Sequence, residues 1–237
     1  MYLTKIYGRN VCLEAIKANR LIFKAYVTNQ FLEKEKYIIN KLNDKKIKIE
    51  VVEKNVLDKL GLHQGIALDV DDYKIYSLEE VLTDEKQYFI ILDGIVDPHN
   101  LGAIMRTMDA AGLDGIIIPK NRSVSINQTV AKVSCGAIEY VKIIEVNNIN
   151  RCIEELKKKG FWIYGTDMND DLDYTSIDIS TSVAVVIGNE GEGMSRLVKE
   201  KCDYIVSIPM VGHVESLNAS VSASIIIYEI LRKKLKK

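Results

Sequence analysis

The sequence has little that points to disulfides, metal binding or a membrane. Its four cysteines are scattered, with no C-x-x-C pair and no histidine at zinc spacing, so we expect neither a disulfide framework nor a metal site. No apolar run approaches the ~18 residues needed to span a bilayer. The opening stretch MYLTKIYGRN also lacks the apolar segment of a signal peptide. We therefore expect a cytoplasmic protein without metal or membrane partners.

Net charge is also nearly absent, since 32 Lys and Arg and 33 Asp and Glu leave a balance of −1. That average argues against a strong polyanion binder. It conceals an excess of cations in residues 1–60, where 13 basic side chains accompany 7 acidic ones. A basic N-terminal region is a modest indication of nucleic-acid binding. The alternative interpretation is that these lysines only form a solvent-exposed surface.

The order of apolar segments predicts two α/β domains joined by a linker. Residues 1–72 alternate short strands and amphipathic helices, and residues 73–87 are charged and weakly patterned, as expected of a linker. From 88 to 237, strands and helices alternate almost without exception. This pattern predicts a parallel sheet with helices on both faces.

A glycine-rich turn, GNEGEGMS (188–195), lies between an apolar strand and a helix. Such turns cradle phosphates in nucleotide-binding proteins, but the glycines are spaced G-x-x-G-x-G and not as in a dinucleotide fingerprint. Glu190 and Glu192 would also repel a pyrophosphate. A cationic adenosine compound such as S-adenosylmethionine fits this turn better, and a purely structural turn is the alternative.

Two further segments contain polar or small residues where a strand runs into a helix. NLGAIMRT (100–107) has Asn100 and Arg106 on the first turns of a helix that follows a strand end, where open α/β sheets bind ligands. IPMVGHVESLNASVSASI (208–225) leads into a helix whose first turns are nearly all small. Small residues there would let another backbone approach closely. Helix capping, a surface salt bridge and ordinary packing are the simpler explanations.

In this order the segments resemble the three motifs of the SpoU (TrmH) family of RNA ribose 2′-O-methyltransferases, in the SPOUT superfamily. The motifs are DPHNLGAIMRTMDAAG (97–112), VVIGNEGEGMS (185–195) and IPMVGHVESLNASVSAS (208–224). The front domain is similar to the family's L30e-like substrate-binding domain, through IYGRNVCLEAI and HQGIAL. The resemblance implies a C-terminal SPOUT domain with a deep trefoil knot, an exception to the usual absence of knots, and a homodimer.

The resemblance also implies the chemistry, which is methylation of an RNA ribose 2′-hydroxyl by S-adenosylmethionine without a metal. The residues at the family's active-site positions are Asn100, Arg106, Glu190, Ser216 and Asn218. Those expected around the cofactor are Gly188, Asn189, Gly193, Ile208, Met210 and Leu217. An arginine is a poor base, so stabilising a developing alkoxide or contacting a phosphate is the easier role for Arg106. Glu190 is the alternative general base, but a carboxylate beside a sulfonium is more useful for positioning the cofactor.

The most specific activity that the resemblance implies is methylation of a guanosine in 23S rRNA. A tRNA guanosine 2′-O-methyltransferase and an enzyme for another 23S rRNA site share the same motifs. A non-catalytic RNA-binding protein is the alternative from another class, and a dinucleotide oxidoreductase is more distant. In the front domain the expected RNA contacts are Arg9, Lys17, Arg20 and Lys24, which would make binding salt-dependent.

Overall fold

In the computed structural model, which describes residues 4–121, 124–168 and 172–236, the chain forms two compact units. The first comprises the residues up to Tyr73 together with Ile126–Tyr140, and the second comprises Lys74–Ser125 and the residues from Val141 onward. Among the described residues, no helix is both long enough and apolar enough to cross a membrane.

The first unit is built on a mixed sheet of four strands. They are β1 (Thr4–Tyr7), β2 (Ile22–Val27), β3 (Ile49–Val51) and β4 (Ile66–Val70), in the order β1-β4-β2-β3. β4 is antiparallel to β1 and β2, whereas β2 and β3 are parallel. Four helices accompany the sheet: α1 (Arg9–Lys17), α2 (Asn29–Lys34), α3 (Lys36–Asp44) and α4 (Lys54–Asp58). The sequence pattern predicts a single helix over 32–44, which the structure divides at Glu35.

The second unit contains the predicted parallel sheet, with seven strands. They are β5 (Ile75–Tyr76), β6 (Tyr88–Asp93), β7 (Gly115–Pro119), β8 (Lys142–Val146), β9 (Trp162–Thr166), β10 (Val183–Gly188) and β11 (Tyr204–Val206). Their order is β11-β9-β10-β6-β7-β8-β5, and every neighbouring pair is parallel. The apolar runs of β6 and β10 are almost wholly buried, as the sequence predicts for central parallel strands.

Five helices belong to the second unit: α5 (Leu78–Val81), α6 (Pro98–Ala111), α8 (Ile149–Lys158), α9 (Arg196–Lys201) and α10 (Ala219–Leu235). Apolar residues of α5, α8 and α9 share a core with Phe89 and Ile91 of β6. α6 and α10 pack against each other, and α10 also contacts β10. The α/β class is therefore confirmed, and the trefoil knot stays a prediction.

Residues 74–87, for which the sequence predicts a linker, lie within the second unit. β5 pairs with β8, and Leu78 and Val81 of α5 are buried in the core beside Phe89. α5 begins with a capping box, in which the Ser77 and Glu80 side chains each accept a hydrogen bond from the other residue's backbone. The sequence pattern allows one short helix at 77–83, which α5 matches, but two buried positions in so charged a stretch are too few to indicate that it joins the core.

The segment 126–140 belongs to the first unit, although the sequence order places it inside the second. The pattern predicts one helix over 125–140, but the structure has α7 (Gln128–Val133) and a short 3-10 turn, with positive φ at Cys135 and Gly136 between them. A Cβ on Gly136 would lie 2.5 Å from the Cβ of Glu14 in α1. This close approach requires glycine and ends the helix.

Candidate active site

The three motif segments meet at the carboxyl edge of the parallel sheet. β6 and β10 are neighbours, with Gly188 opposite Asp93 at their last paired positions. β6 runs through a short connection into α6, and β10 runs through the glycine turn into α9. The third segment connects β11 with α10. Ligands of open α/β sheets bind at this edge, where loops from neighbouring strands lie side by side.

The glycine turn is closed by its own atoms. Asn189 and Gly193 exchange two backbone hydrogen bonds, of 3.2 and 3.0 Å, and the Asn189 Oδ1 atom accepts from the backbone N–H groups of Gly191 and Glu192 at 2.9 and 2.7 Å. A Cβ on Gly188 would lie 2.3 Å from the carbonyl carbon of Gly193. Glycine at 188 is therefore required by close backbone approach, and the turn is closed by protein atoms alone.

One side chain from each motif enters a shared hydrogen-bond cluster centred on Glu190. The Glu190 Oε1 atom accepts from Asn100 Nδ2 at 2.6 Å, from Asn218 Nδ2 at 3.0 Å and from the backbone N–H of Ala219 at 3.3 Å. Asn218 Nδ2 also donates to Asn100 Oδ1 at 2.9 Å. The Asn218 Oδ1 atom caps α10 by accepting from the N–H of Ser220 at 3.0 Å. The cluster fixes the relative positions of the three motifs.

A cavity of about 310 Å³ opens beside this cluster. All six residues predicted to surround the cofactor line it, together with two of the predicted active-site residues: Gly188, Asn189, Gly193, Ile208, Met210, Leu217, Glu190 and Ser216. Its carboxylates come from Glu190, Glu192 and Asp167, of which Asp167 is paired with Lys199, and no lysine or arginine is among the lining residues. An acidic wall combined with apolar side chains suits a cationic ligand better than an anionic one.

Arg106 stands apart from this arrangement. It lies on the exposed side of α6, and its guanidinium makes no hydrogen bond or ion pair with any residue that the structure describes. It is not among the residues that line the cavity. The structure thus brings together Asn100, Glu190 and Asn218, but it leaves Arg106 as an exposed charge on the helix that carries Asn100.

Two functional positions escaped the sequence analysis, at the end of β6. The Asp93 Oδ2 atom accepts from the N–H of Ser195 at 2.7 Å and so holds the far end of the glycine turn. A Cβ on Gly94, where φ is +78°, would lie 2.9 Å from the Nδ2 atom of Asn189. The available signal was the pair Asp-Gly at the end of the strand, three residues before the first motif begins at Asp97. The contacts of Asp93 and Gly94 with the glycine turn arise because β10 lies beside β6, and the sequence alone does not reveal this pairing.

The predicted RNA contacts of the first unit are all paired with acids. Arg9 binds Glu35 at 2.9 Å, Lys17 binds Glu14 at 2.8 Å, and Lys24 binds Glu50 at 2.5 Å. Arg20 corrects the prediction most clearly. Its side chain is only 6% exposed and lies 2.8 Å from Glu139, whose side chain is 5% exposed.

Arg20 belongs to a buried ionic cluster. Besides Glu139, it contacts Asp71 at 3.4 Å, and its guanidinium carbon lies 3.8 Å from the centre of the Tyr73 ring. Burial raises the pKa of Glu139, and the charge of Arg20 partly opposes that rise. Burial likewise raises the pKa of Tyr73 to about 12. Arg20 therefore holds the 126–140 segment within the first unit, which leaves it unavailable to a phosphate.

Two thiols of the second unit are unsuited to a second chemistry. Burial raises the pKa of Cys152 and of Cys202 to about 12, so neither thiol is a nucleophile at neutral pH. Within 4–121, 124–168 and 172–236, no group of three or more His, Cys, Asp or Glu side chains is arranged to hold a metal ion. The polar cluster and the cavity beside it remain the candidate site.

Comparison with known proteins identifies the family. Residues 87–228 match the model of the SpoU rRNA Methylase family, and residues 5–76 match a model described as RNA 2′-O ribose methyltransferase substrate binding. A Staphylococcus aureus (strain COL) protein assigned to the TrmH family of tRNA/rRNA methyltransferases is 46% identical over 242 residues, which cover 98% of this chain and 96% of that protein.

Solved structures share the fold of the whole chain. The SpoU methyltransferase AviRb from Streptomyces viridochromogenes, in complex with the cofactor AdoMet, superposes with a TM-score of 0.86 at 22% identity over 99% of this chain and 92% of that chain. An AdoMet-bound rRNA methyltransferase from Sinorhizobium meliloti has a TM-score of 0.83 at 21% identity, over 98% and 88% of the two chains. The SpoU rRNA Methylase model matches more than half of this chain. The chain therefore belongs to the SpoU (TrmH) family of RNA methyltransferases.

Proposed function

We propose that this protein transfers the methyl group of S-adenosylmethionine to a ribose 2′-hydroxyl of RNA. The observation that carries the proposal is the cluster of Asn100, Glu190 and Asn218 beside the acidic cavity. The substrate-binding model matched by residues 5–76 supports the 2′-O position, and AdoMet in a solved relative of the same fold supports the cofactor.

The cavity has the groups that S-adenosylmethionine needs. Its glycine turn exposes backbone donors and acceptors for an adenosine, and Ile208 and Leu217 offer apolar surface. Glu190 and Glu192 supply negative charge for a sulfonium. When bound, the cofactor supplies a methyl carbon that is open to attack by an oxygen nucleophile. Because the turn is already closed by Asn189, little ordering free energy is spent when the ligand binds.

The side chains of the cluster have positioning roles. Glu190 accepts three hydrogen bonds through one oxygen, which holds Asn100 and Asn218 in place. Ser216, which lies in the cavity lining, orients the ribose hydroxyl. These groups do not activate an alcohol by themselves, so the nucleophile needs a further group.

Arg106 is that further group. It has no partner among the described residues, so its guanidinium is free to contact RNA. Since an arginine stays protonated, it does not take the proton of the 2′-hydroxyl, which passes to water or to the adjacent RNA phosphate. Arg106 either stabilises the alkoxide that develops or holds that phosphate in position.

We further propose that the substrate is a guanosine of 23S rRNA and that the protein acts as a cytoplasmic homodimer. A homodimer is supported by exposed apolar side chains on α10, where Val221 is 46% and Tyr228 is 52% exposed. A tRNA substrate is the alternative, since the named relatives are tRNA/rRNA methyltransferases.

The test is to incubate the purified protein with methyl-labelled S-adenosylmethionine and total RNA from a strain that lacks its gene, and then to map the labelled nucleotide. We expect label on one ribose of 23S rRNA. RNA from the parent strain, which is already methylated, is the matched control and should take up much less. Label in tRNA would correct the substrate, and no label in any RNA would favour a non-catalytic RNA-binding protein.

A further inference from the structure

The first unit has a cavity of its own, of about 610 Å³. Its walls come from the start of α2, the connection between β3 and α4, and the loop 61–65. We propose that this cavity binds one unpaired nucleotide of the RNA substrate, with its base against the amides of Asn29, Gln30 and Gln64 and its phosphate near Lys34 and Lys54. The inference rests on the proposed function, because it assigns the RNA-binding subsite of the same enzyme.

The loop 61–65 is held by hydrogen bonds and close packing within the first unit. The ring of His63 is buried, and its Nδ1 atom accepts from the N–H of Gly65 at 2.9 Å. The proton is therefore on Nε2, which donates to Asp58 Oδ1 at 3.0 Å. A Cβ on Gly65, where φ is +87°, would lie 3.0 Å from Phe31 and from Thr28. A wall held by such contacts needs little ordering when a ligand binds.

Amide side chains supply the hydrogen-bonding capacity of the cavity. Asn29 and Gln30 are exposed, and their side chains make no hydrogen bond with any described residue. Gln64 uses its Oε1 atom to accept from the N–H of Arg9 at 2.8 Å, which leaves its Nε2 donors free. An amide presents a donor and an acceptor together, which matches the edge of an unpaired base.

The charges around the cavity favour one nucleotide over a stretch of backbone. Glu35 is paired with Arg9, whereas Asp58 accepts a hydrogen bond from His63 Nε2 and keeps its negative charge. Among the described residues, Lys34 and Lys54 have no ion-pair partner, and two acids of the lining, Glu53 and Asp58, have no lysine or arginine partner either. The two free ammonium groups can hold one phosphate, whereas the absence of a net positive charge disfavours a duplex backbone.

Apolar surface lies beside these polar groups. Leu62 is 74% exposed on the loop 61–65, and Val52 also lines the cavity. A nucleobase has a polar edge and an apolar face, so it matches a pocket that offers amides and aliphatic side chains together. Single-stranded RNA exposes such bases, whereas the bases of a duplex stay stacked.

The experiment uses the full-length protein and two cavity variants, Asn29→Ala with Gln30→Ala, and Lys34→Ala with Lys54→Ala. We expect each double variant to raise the KM for substrate RNA about tenfold, the size of one lost base contact, with kcat and S-adenosylmethionine affinity unchanged. Lys36→Ala with Lys59→Ala removes two exposed lysines that do not line the cavity and is the matched control, expected to change KM less than about twofold. An unchanged KM in both cavity variants would overturn the inference.

A binding assay keeps this test separate from methyl transfer. Short single-stranded RNAs carrying 2-aminopurine become more fluorescent when the labelled base leaves its stack. We expect such a rise with the wild-type chain and its loss in the Asn29→Ala, Gln30→Ala variant, whether or not any RNA is methylated. Equal fluorescence changes with wild type and variant would refute base capture in this cavity, even if methylation succeeds.

Discussion

The two units use their charged side chains in opposite ways. In the second unit, Glu190 lies among amide donors from two other motifs, and Arg106 remains without a partner in the described structure. In the first unit, Arg9 and Arg20 are paired with acids of their own unit. The comparison shows that a charge is available for binding or catalysis only where the fold leaves it unpaired, however suggestive its position in the sequence.

The largest expected effect tests the unpaired charge. Replacing Arg106 by alanine should lower the rate of methyl transfer about a thousandfold, since one group that stabilises transition-state charge is lost. S-adenosylmethionine affinity, measured by calorimetry, should stay within a few-fold because Arg106 does not line the cavity. Arg151→Ala removes an exposed arginine that is paired with Glu155 and should leave the rate unchanged. Loss of cofactor binding in Arg106→Ala would show a structural role.

The paired charge of Arg20 should matter for stability instead. Arg20→Ala leaves Glu139 buried without its cation and should lower the free energy of unfolding by about 3 kcal/mol. Arg9→Ala, at a half-exposed pair with Glu35, is the control and should cost below about 1 kcal/mol. Denaturant unfolding measures both. Equal losses in the two variants would contradict the distinction between a buried and an exposed pair.

The effect of Arg20→Ala should also depend on pH. The folded-state pKa of Glu139 is raised by burial, so ionisation of this group costs stability, and that cost disappears as the pH falls through the raised pKa. Without Arg20, which opposes the rise, the cost at neutral pH is larger. The stability difference between Arg20→Ala and wild type should therefore shrink as the solution is acidified, and a constant difference would exclude Glu139 as its source.

Backbone crowding in the glycine turn should produce the next largest effect. Gly188→Ala places a Cβ 2.3 Å from the carbonyl carbon of Gly193, so the turn must shift, at a cost of about 1–3 kcal/mol. Thermal unfolding should begin earlier and S-adenosylmethionine should bind more weakly. Gly191→Ala lies in the same turn, and its Cβ would meet only Asn189 Oδ1, at 3.6 Å. That control should behave as wild type, and equal damage in both variants would show that sterics at 188 are unimportant.

The charge of Glu190 can be tested separately from its hydrogen bonds. Glu190→Gln keeps the accepting oxygen but loses the charge, so S-adenosylmethionine affinity should fall about tenfold, as expected when one charge beside a cation is removed. S-adenosylhomocysteine, a neutral thioether, should bind within about twofold of wild type. Parallel titrations of both compounds measure the difference. Equal losses for the two compounds would mean that Glu190 acts only through geometry.

The smallest effect is expected for the paired lysines of the first unit. Lys17→Ala with Lys24→Ala should change the affinity for single-stranded RNA by less than about twofold, because both side chains are already bound by Glu14 and Glu50. Anisotropy titrations at two salt concentrations measure this. A large loss with a reduced salt dependence would restore these lysines as phosphate contacts and weaken the case for the cavity that contains Lys34.

The α/β class could be predicted from local patterns, whereas the residues that line the cavity beside Glu190 came from the resemblance to the SpoU family. Alternating apolar segments predict a parallel sheet, and the strand-turn-helix order places Gly188 and Gly193 at its carboxyl edge. Asp93 was missed because its partner, Ser195, lies 102 residues away. The linker prediction allowed one short helix at 77–83, where α5 lies, but it did not place this stretch in the core, because only Leu78 and Val81 are buried.

The sequence by itself determined the glycine turn, because Gly188 is required where two backbone segments almost touch and Asn189 closes the turn with neighbouring N–H groups. Only the tertiary structure decided which charges are free. Arg20 looks like an RNA contact until Glu139, 119 residues further along the chain, is found beside it. Backbone conformation depends on near neighbours, whereas an ion pair depends on whichever acid the fold brings close.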